Sequence, residues 1–167
     1  MVELAGTQRR SAGILLWRRH DGLLEVLLGH QGGPEYVSKD AGYWSVLKGE
    51  IEPGEDPLEV ARREFEEESG SVPPDGRLIE LGEVRQKGGK LVVAWALEGD
   101  LDPSHAVSNT FETEWPPGSG TFRTFPEIDR VGWFDVAGAR AKIKPTQAPF
   151  LERLERALAD AARGPAD

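Results

Sequence analysis

The sequence predicts an α/β domain with a mixed sheet lying between helices. Three observations lead to that class. Short apolar runs separated by turn-forming residues recur along the chain and read as strands. One internal stretch carries helix start and stop signals at both ends. The C-terminal part repeats large apolar residues at helical spacing. At 167 residues the chain can bury a core, and one domain over residues 1–167 is expected.

Taken in order, residues 11–18 (SAGILLWR) and 23–28 (LLEVLL) flank Arg19-His20-Asp21-Gly22 and read as paired strands with a tight turn. Residues 31–42 are Gly-rich and polar, a loop bearing Tyr36 and Lys39. Residues 44–47 should be a short strand that delivers Gly49. Glu52-Pro53-Gly54-Glu55 is a turn, in which Pro presets the first central residue and Gly permits positive φ at the second.

A helix should run from about residue 57 to 69. Asp56 can cap it, Glu59 can complete a capping box, and Pro57 occupies the first position, where a missing N–H is no loss. Gly70 closes it as a left-handed cap. Residues 77–85 and 90–97 form a second hairpin around Gln86-Lys87-Gly88-Gly89. The stretch 98–129 is broken by prolines and reads as a long loop, a kind of segment that is usually functional or disordered. It carries Phe111, Trp115, Phe122 and Phe125, so it should pack onto something. Residues 130–134 are a short strand. In the last helix, about 149–162, Phe150, Leu151, Leu154 and Leu158 share a stripe that Ala162 prolongs. Core packing is its simplest use, with a homodimer contact as the alternative.

From Glu50 to Glu68 nine acidic residues stand against Arg62 and Arg63, a local balance of −7 in a chain whose total is −9. On the helix, Leu58, Ala61 and Phe65 share the face to be buried, while Glu64, Glu67 and Glu68 occupy the adjoining one. Their carboxylates can converge on one point; Glu66 points to solvent. Like charges at this spacing repel by about 0.2–0.5 kcal/mol per pair, so propensity alone does not favour them. Oxygen donors without Cys or His suit a hard cation, Mg²⁺ or Mn²⁺. Acidic helices are more often solvated faces, but that use leaves the turn, the cap and the upstream Gly at fixed offsets unexplained.

Those offsets resemble the signature of the Nudix hydrolases: Gly, five residues, Glu, seven residues, then Arg-Glu-apolar-any-Glu-Glu-any-Gly-apolar. Gly49, Glu55, Arg63, Glu64, Phe65, Glu67, Glu68, Gly70 and Ser71 take these positions over residues 49–71. Ser71 departs from the family's aliphatic preference, and Val72 beside it is expected to supply the packing. The run Trp44-Ser45-Val46-Leu47-Lys48-Gly49 extends the match, with Leu47 in place of a common Pro. The resemblance implies an α/β/α sandwich and hydrolysis of a nucleoside diphosphate linked to another group X. It also implies metal ligation by Glu64, Glu67 and Glu68 with the Gly49 carbonyl, and an Arg63 that orients the carboxylates and pairs with Glu55.

The physical reading reaches the same class more loosely, because carboxylates holding Mg²⁺ can bind a polyphosphate and activate water. Phosphoryl transfer then needs positioning and charge neutralisation, without a covalent nucleophile. Glu67 or Glu68 could be the general base; Glu112, Glu114 and Glu127 are candidates outside the signature. Lys48, Arg85, Lys87 and Lys90 are the cations placed to bind phosphate. A base could stack on Tyr43, Trp44, Phe111 or Trp115, although Trp44 is equally a core residue. His20, His30 and His105 are scattered and read as structural or surface groups.

With no cysteine, disulfides, zinc–thiolate sites and thiol nucleophiles are excluded. The acidic balance argues against nucleic-acid and anionic-membrane partners, no apolar run approaches a membrane span, and a cytoplasmic location is the default. The expected substrate is a dinucleoside polyphosphate or a nucleoside triphosphate. ADP-ribose or a nucleotide sugar is the close alternative, and a non-catalytic nucleotide sensor the alternative from another class. A calcium loop ranks last, lacking the Asp-rich, Gly-centred pattern.

Overall fold

The computed structural model describes residues 9–164. β1 (Arg10–His20) and β2 (Leu23–Gln31) form the first hairpin, with Asp21 at φ 52° and Gly22 at φ 80° in its two-residue turn. Two consecutive positive φ values match the right-handed twist of the flanking strands. β3 (Trp44–Ser45) pairs with β2, and β4 (Leu47–Glu50) pairs with the start of β1. The expected 44–47 strand is therefore divided at Val46. The buried Gln147 side chain takes over the ladder there: its Oε1 accepts from Val46 N–H at 3.1 Å, and its Nε2 donates to Ser45 Oγ at 3.1 Å.

After α1 (Pro57–Ser69), β5 (Leu78–Arg85) and β6 (Leu91–Glu98) form the second hairpin, and β6 runs parallel to β1. β7 (Thr110–Glu114) and β8 (Phe122–Pro126) make a separate two-stranded sheet. β9 (Ile128–Asp135) then returns to β2. α2 (Val136–Lys142) and α3 (Pro149–Ala162) complete the described chain. The order β3-β2-β1-β6-β5, with β4 on β1 and β9 on β2, makes one mixed seven-stranded sheet.

Strand alternation sends side chains to two cores. Ala12, Ile14 and Leu16 of β1 join Val60, Ala61 and Phe65 of α1. Leu15 and Trp17 point the other way and join Ala139 of α2 and Phe150, Leu151 and Leu154 of α3. The result is the expected α/β/α sandwich. α3 is also fastened to β5, where Arg153 Nη1 donates to the carbonyls of Leu81 and Glu83 at 2.9 Å each.

Four local expectations are corrected. The supposed loop 98–129 contains the β7–β8 hairpin. A third helix, α2, is present; it is short, and its one signal was Asp135, which caps it by accepting from Gly138 N–H at 2.7 Å. On α1 the buried seam is Val60, Ala61, Phe65 and Ser69, with Leu58 only half-buried. Val72 is 70% exposed and supplies no packing. Instead the Ser71 N–H donates to Ser69 Oγ at 3.1 Å, which in turn donates to Phe65 O at 2.6 Å. Among the described residues no helix is long and apolar enough to cross a membrane.

Candidate active site

The turn and helix form where the local signals put them: Asp56 accepts from Glu59 N–H at 3.1 Å, and Gly70 sits at φ 80°. This lays α1 across β4. The Lys48 backbone N–H donates to Glu68 Oε1 at 3.0 Å, tying the helix to the strand. Gly49 lies under Glu64, where a Cβ would stand 2.1 Å from the carboxyl carbon and Oε1. Arg63 Nη1 donates to Glu55 Oε2 at 2.7 Å, and its Nε lies 3.6 Å from Glu64 Oε2 and 3.8 Å from Glu67 Oε2. Glu55 Oε1 is itself held by Glu52 N–H at 2.9 Å. One guanidinium thus faces three carboxylates.

Burial sets the electrostatics. It raises Glu64, with the Glu67 charge adding to the shift and Arg63 opposing it. It pushes Glu68 up to about 8 against the pull of Lys48. Lys48 is brought down to about 8 by burial, then by Lys90 and Lys144, with Glu68 and Glu127 opposing. Lys144 is also lowered, first by burial and then by Lys90. Lys48, Glu68, Glu127 and Lys144 line one cavity of about 110 Å³. Burial of Lys48 and Glu68 lowers the local dielectric, so charge–charge interactions are stronger there than on the open surface.

Several predicted residues meet at this place. Lys48 and Lys90 do so, and of the three outside carboxylates Glu127 lines the cavity. Glu114 instead accepts from Gly118 and Gly120 N–H at 3.1 and 2.8 Å within the β7–β8 turn, and Glu112 is exposed on β7. Tyr43 and Lys87 line a neighbouring cleft of about 450 Å³ with Gln86 and Lys144. Arg85 turns back to Gly89 O at 3.3 Å on the exposed hairpin. Trp44 is 6% exposed, its indole N–H donates to Asp40 Oδ1 at 2.9 Å, and its ring is packed by His30, Phe134 and Arg130. It has no free face for a base. His30 is fully buried between Asp129 Oδ1 at 2.8 Å and Lys39 O at 2.6 Å, while His20 and His105 are exposed.

Sequence reading missed Lys144 and Asn109. Lys144 arrives from the turn after α2, with nothing local to mark it. Asn109 donates its backbone N–H to Glu67 O at 2.7 Å and its side chain to Glu67 Oε1 at 3.4 Å, closing the end of α1.

The donor set suits a divalent cation. Its ligand atoms are hard oxygens, and Gly49 lets the Glu64 carboxylate lie directly on bare backbone. The expected convergence of three carboxylates is not observed: among the described residues no three His, Cys, Asp or Glu side chains stand together in ligating geometry. Glu64 and Glu67 face Arg63, whereas Glu68 accepts from the Lys48 amide.

The NUDIX domain family model matches residues 7–154. The chain is 36% identical over 118 residues to an octanoyltransferase of Myxococcus xanthus, covering 71% of this chain and 29% of that protein. It is 32% identical over 100 residues to the asymmetrical bis(5'-nucleosyl)-tetraphosphatase of Rattus norvegicus, covering 53% of this chain and 64% of the relative. It therefore spans less than two thirds of either curated relative. Among solved structures, a binary complex of the C. elegans Ap4A hydrolase matches with a TM-score of 0.62 and 18% identity, over 90% of this chain and 98% of that one. The NUDIX domain of Shewanella oneidensis NrtR complexed with ADP ribose matches with a TM-score of 0.64 and 18% identity, over 91% and 89%. At such identity the structures speak for the fold, and the family model speaks for descent: the chain belongs to the NUDIX family.

Proposed function

We propose that the protein hydrolyses a diphosphate linkage in a nucleoside diphosphate joined to another group, with a dinucleoside polyphosphate or a nucleoside triphosphate as substrate. One observation carries the reading: Arg63 organises the carboxylates Glu55, Glu64 and Glu67, and Glu68 of the same helix lines a cavity with Lys48 and Lys144. A negative polyphosphate finds cations in Lys48, Lys90 and Lys144, and a proton leaving water finds acceptors in Glu67, Glu68 or Glu127. Glu64, Glu67 and Glu68, with the Gly49 carbonyl, would hold Mg²⁺, or Mn²⁺ in its place. Bound there, the cation supplies Lewis acidity and neutralises phosphate charge. Arg63 and Glu55 keep the carboxylates in position.

The rat relative's name favours a dinucleoside polyphosphate. The M. xanthus name does not transfer, because most of that protein has no counterpart in this chain. The proposal includes action in the cytoplasm and no nucleic-acid or membrane partner; a homodimer is compatible with it.

The test is product analysis of the purified protein with Mg²⁺ or Mn²⁺ on diadenosine polyphosphates, nucleoside triphosphates, ADP-ribose and nucleotide sugars. Cleavage at a diphosphate linkage is expected, and Glu67→Gln should lower turnover by orders of magnitude with the fold intact. Near wild-type turnover in that variant would remove Glu67 from the site. No cleavage with retained nucleotide binding would make the protein a sensor.

A further inference from the structure

Three cations at one place repel one another unless the chain forces them together. Lys48 lies on β4, Lys90 stands at the end of the β5–β6 turn, and Lys144 follows α2. They are close enough to act on each other: Lys90 and Lys144 add to the lowering of Lys48 by burial, and Lys90 adds to that of Lys144. Nothing between the ammonium groups attracts, so the segments that carry them must be tied.

Gln147 reaches all three segments from a fully buried position. Its Oε1 accepts from Val46 N–H at 3.1 Å, two residues before Lys48. Its Nε2 donates to Ser45 Oγ at 3.1 Å and to Gln86 Oε1 at 2.9 Å. Gln86 in turn donates its backbone N–H to Lys90 O at 2.8 Å, so the hairpin turn is joined to the knot. The Gln147 backbone N–H donates to Lys144 O at 2.8 Å, and Lys144 N–H donates to Trp44 O at 2.8 Å. Ser45 Oγ passes the chain on by donating to Val46 O at 2.8 Å.

The direction of every bond is set. A backbone N–H can only donate, so the Gln147 atom facing Val46 is the oxygen, and both amide hydrogens are then used on Ser45 and Gln86. A buried polar network satisfied in this way is rigid. Its neutrality matters as well. A Lys or Arg at this place would add to the repulsion, and a carboxylate would cancel the field that draws phosphate.

We propose that Gln147 is a positioning residue for phosphate binding, holding the segments of Lys48, Lys90 and Lys144 together so that the three cations are in place before a polyphosphate arrives. The inference rests on the proposed function for its ligand, a polyphosphate chain. Its advantage is preorganisation: loose segments would have to be gathered against their own repulsion at the moment of binding.

Binding without turnover tests it. The probe is methylenediphosphonate, whose P–C–P bridge cannot be hydrolysed, titrated with Mg²⁺ into the full chain by calorimetry. Wild type should bind it, and Gln147→Leu should weaken the affinity by about tenfold, a coupling of the size found within one hydrogen-bond network. Gln86→Ala, at the half-buried edge of the network, should weaken it by a smaller factor. A double-mutant cycle with Lys90→Ala separates positioning from mere stability. Acting through Lys90, Gln86→Ala should lose most of its effect once Lys90 is gone, and Gln147→Leu part of its own. In turnover of a diphosphate substrate, Gln147→Leu should raise KM by a larger factor than it lowers kcat.

No binding in wild type would overturn the proposal, as would wild-type affinity in Gln147→Leu with only Tm lowered. So would losses that simply multiply in the cycle, and the Gln86 cycle alone decides should Gln147→Leu not fold. Coupled binding of the probe without cleavage of any diphosphate would keep the role of Gln147 and refute the hydrolase; cleavage with uncoupled losses would do the reverse.

Discussion

At Gly49 an added methyl group would meet the Glu64 carboxyl at 2.1 Å, and what it meets is the end of a flexible side chain. Glu64 can swing aside, so Gly49→Ala should change stability by less than about 1 kcal/mol while moving a proposed ligand. Thermal unfolding together with Mn²⁺ titration checks this: Tm should hold and cation affinity should fall. His30 presents the opposite case. It is fully buried and contacts Lys39 O and Asp129 Oδ1, whose Oδ2 already lacks a partner. His30→Ala would remove both contacts and leave a largely buried carboxylate with only Arg130 at 3.5 Å from Oδ1 among the described residues. A loss of roughly 3 kcal/mol is expected in urea unfolding.

For α1, two contributions can be weighed against each other. The Asp56 cap satisfies one backbone donor at an exposed end, and Asp56→Ala should cost about 1 kcal/mol. Phe65 is 1% exposed beneath the helix, and Phe65→Ala should cost about 3–5 kcal/mol through lost transfer energy and a cavity. Packing therefore holds the helix and the cap sets where it starts; equal losses in denaturant midpoints would refute that division. At its other end, Asn109 and Val107 donate N–H groups to the carbonyls of Glu67 and Ser69, so the approach to β7 also terminates α1. The hairpin and the acidic helix are thus mechanically connected.

Among the described residues, five carboxylates are held below their ordinary values. Asp40 is lowered by Lys142 and the Trp44 indole, Glu50 by Arg9, and Glu55 by Arg63. Arg18 lowers Asp100, and hydrogen bonds from Ser104 lower Asp102. The unfolded chain binds more protons than the folded one at these sites, so their stabilisation is present above the ordinary values of 3.8 and 4.5 and is lost as pH falls through the depressed ones. Glu64 and Glu68 work in the other direction: their contribution is complete below 4.5 and is lost as pH rises, for Glu68 toward about 8. Urea midpoints should therefore decline between about pH 4.5 and about pH 3, where Glu64 and Glu68 are protonated in both states and only the depressed carboxylates still titrate differently. The groups are exposed, so the decline should be shallow and should weaken further in salt; a midpoint that rises steadily to pH 3 would contradict it.

The sequence by itself determined what depends on near neighbours. The Pro-Gly turn, the Asp56 cap, the Gly70 stop and the spacing of Glu64, Glu67 and Glu68 are all written within a few residues of where they act. A mixed sheet between helices fitted the same local periodicities, and the signature's resemblance implied the sandwich. Tertiary structure decided whatever requires distant segments to meet. Lys144, Glu127 and Lys48 come from three separate parts of the chain, and only the sheet order brings them to one cavity. The same packing buried Trp44, took Arg85 away from the site, and set Tyr36 opposite β7. A hydrogen bond between near neighbours is specified by their spacing, whereas burial and cavity chemistry belong to the assembled core, and no stretch of sequence carries them alone.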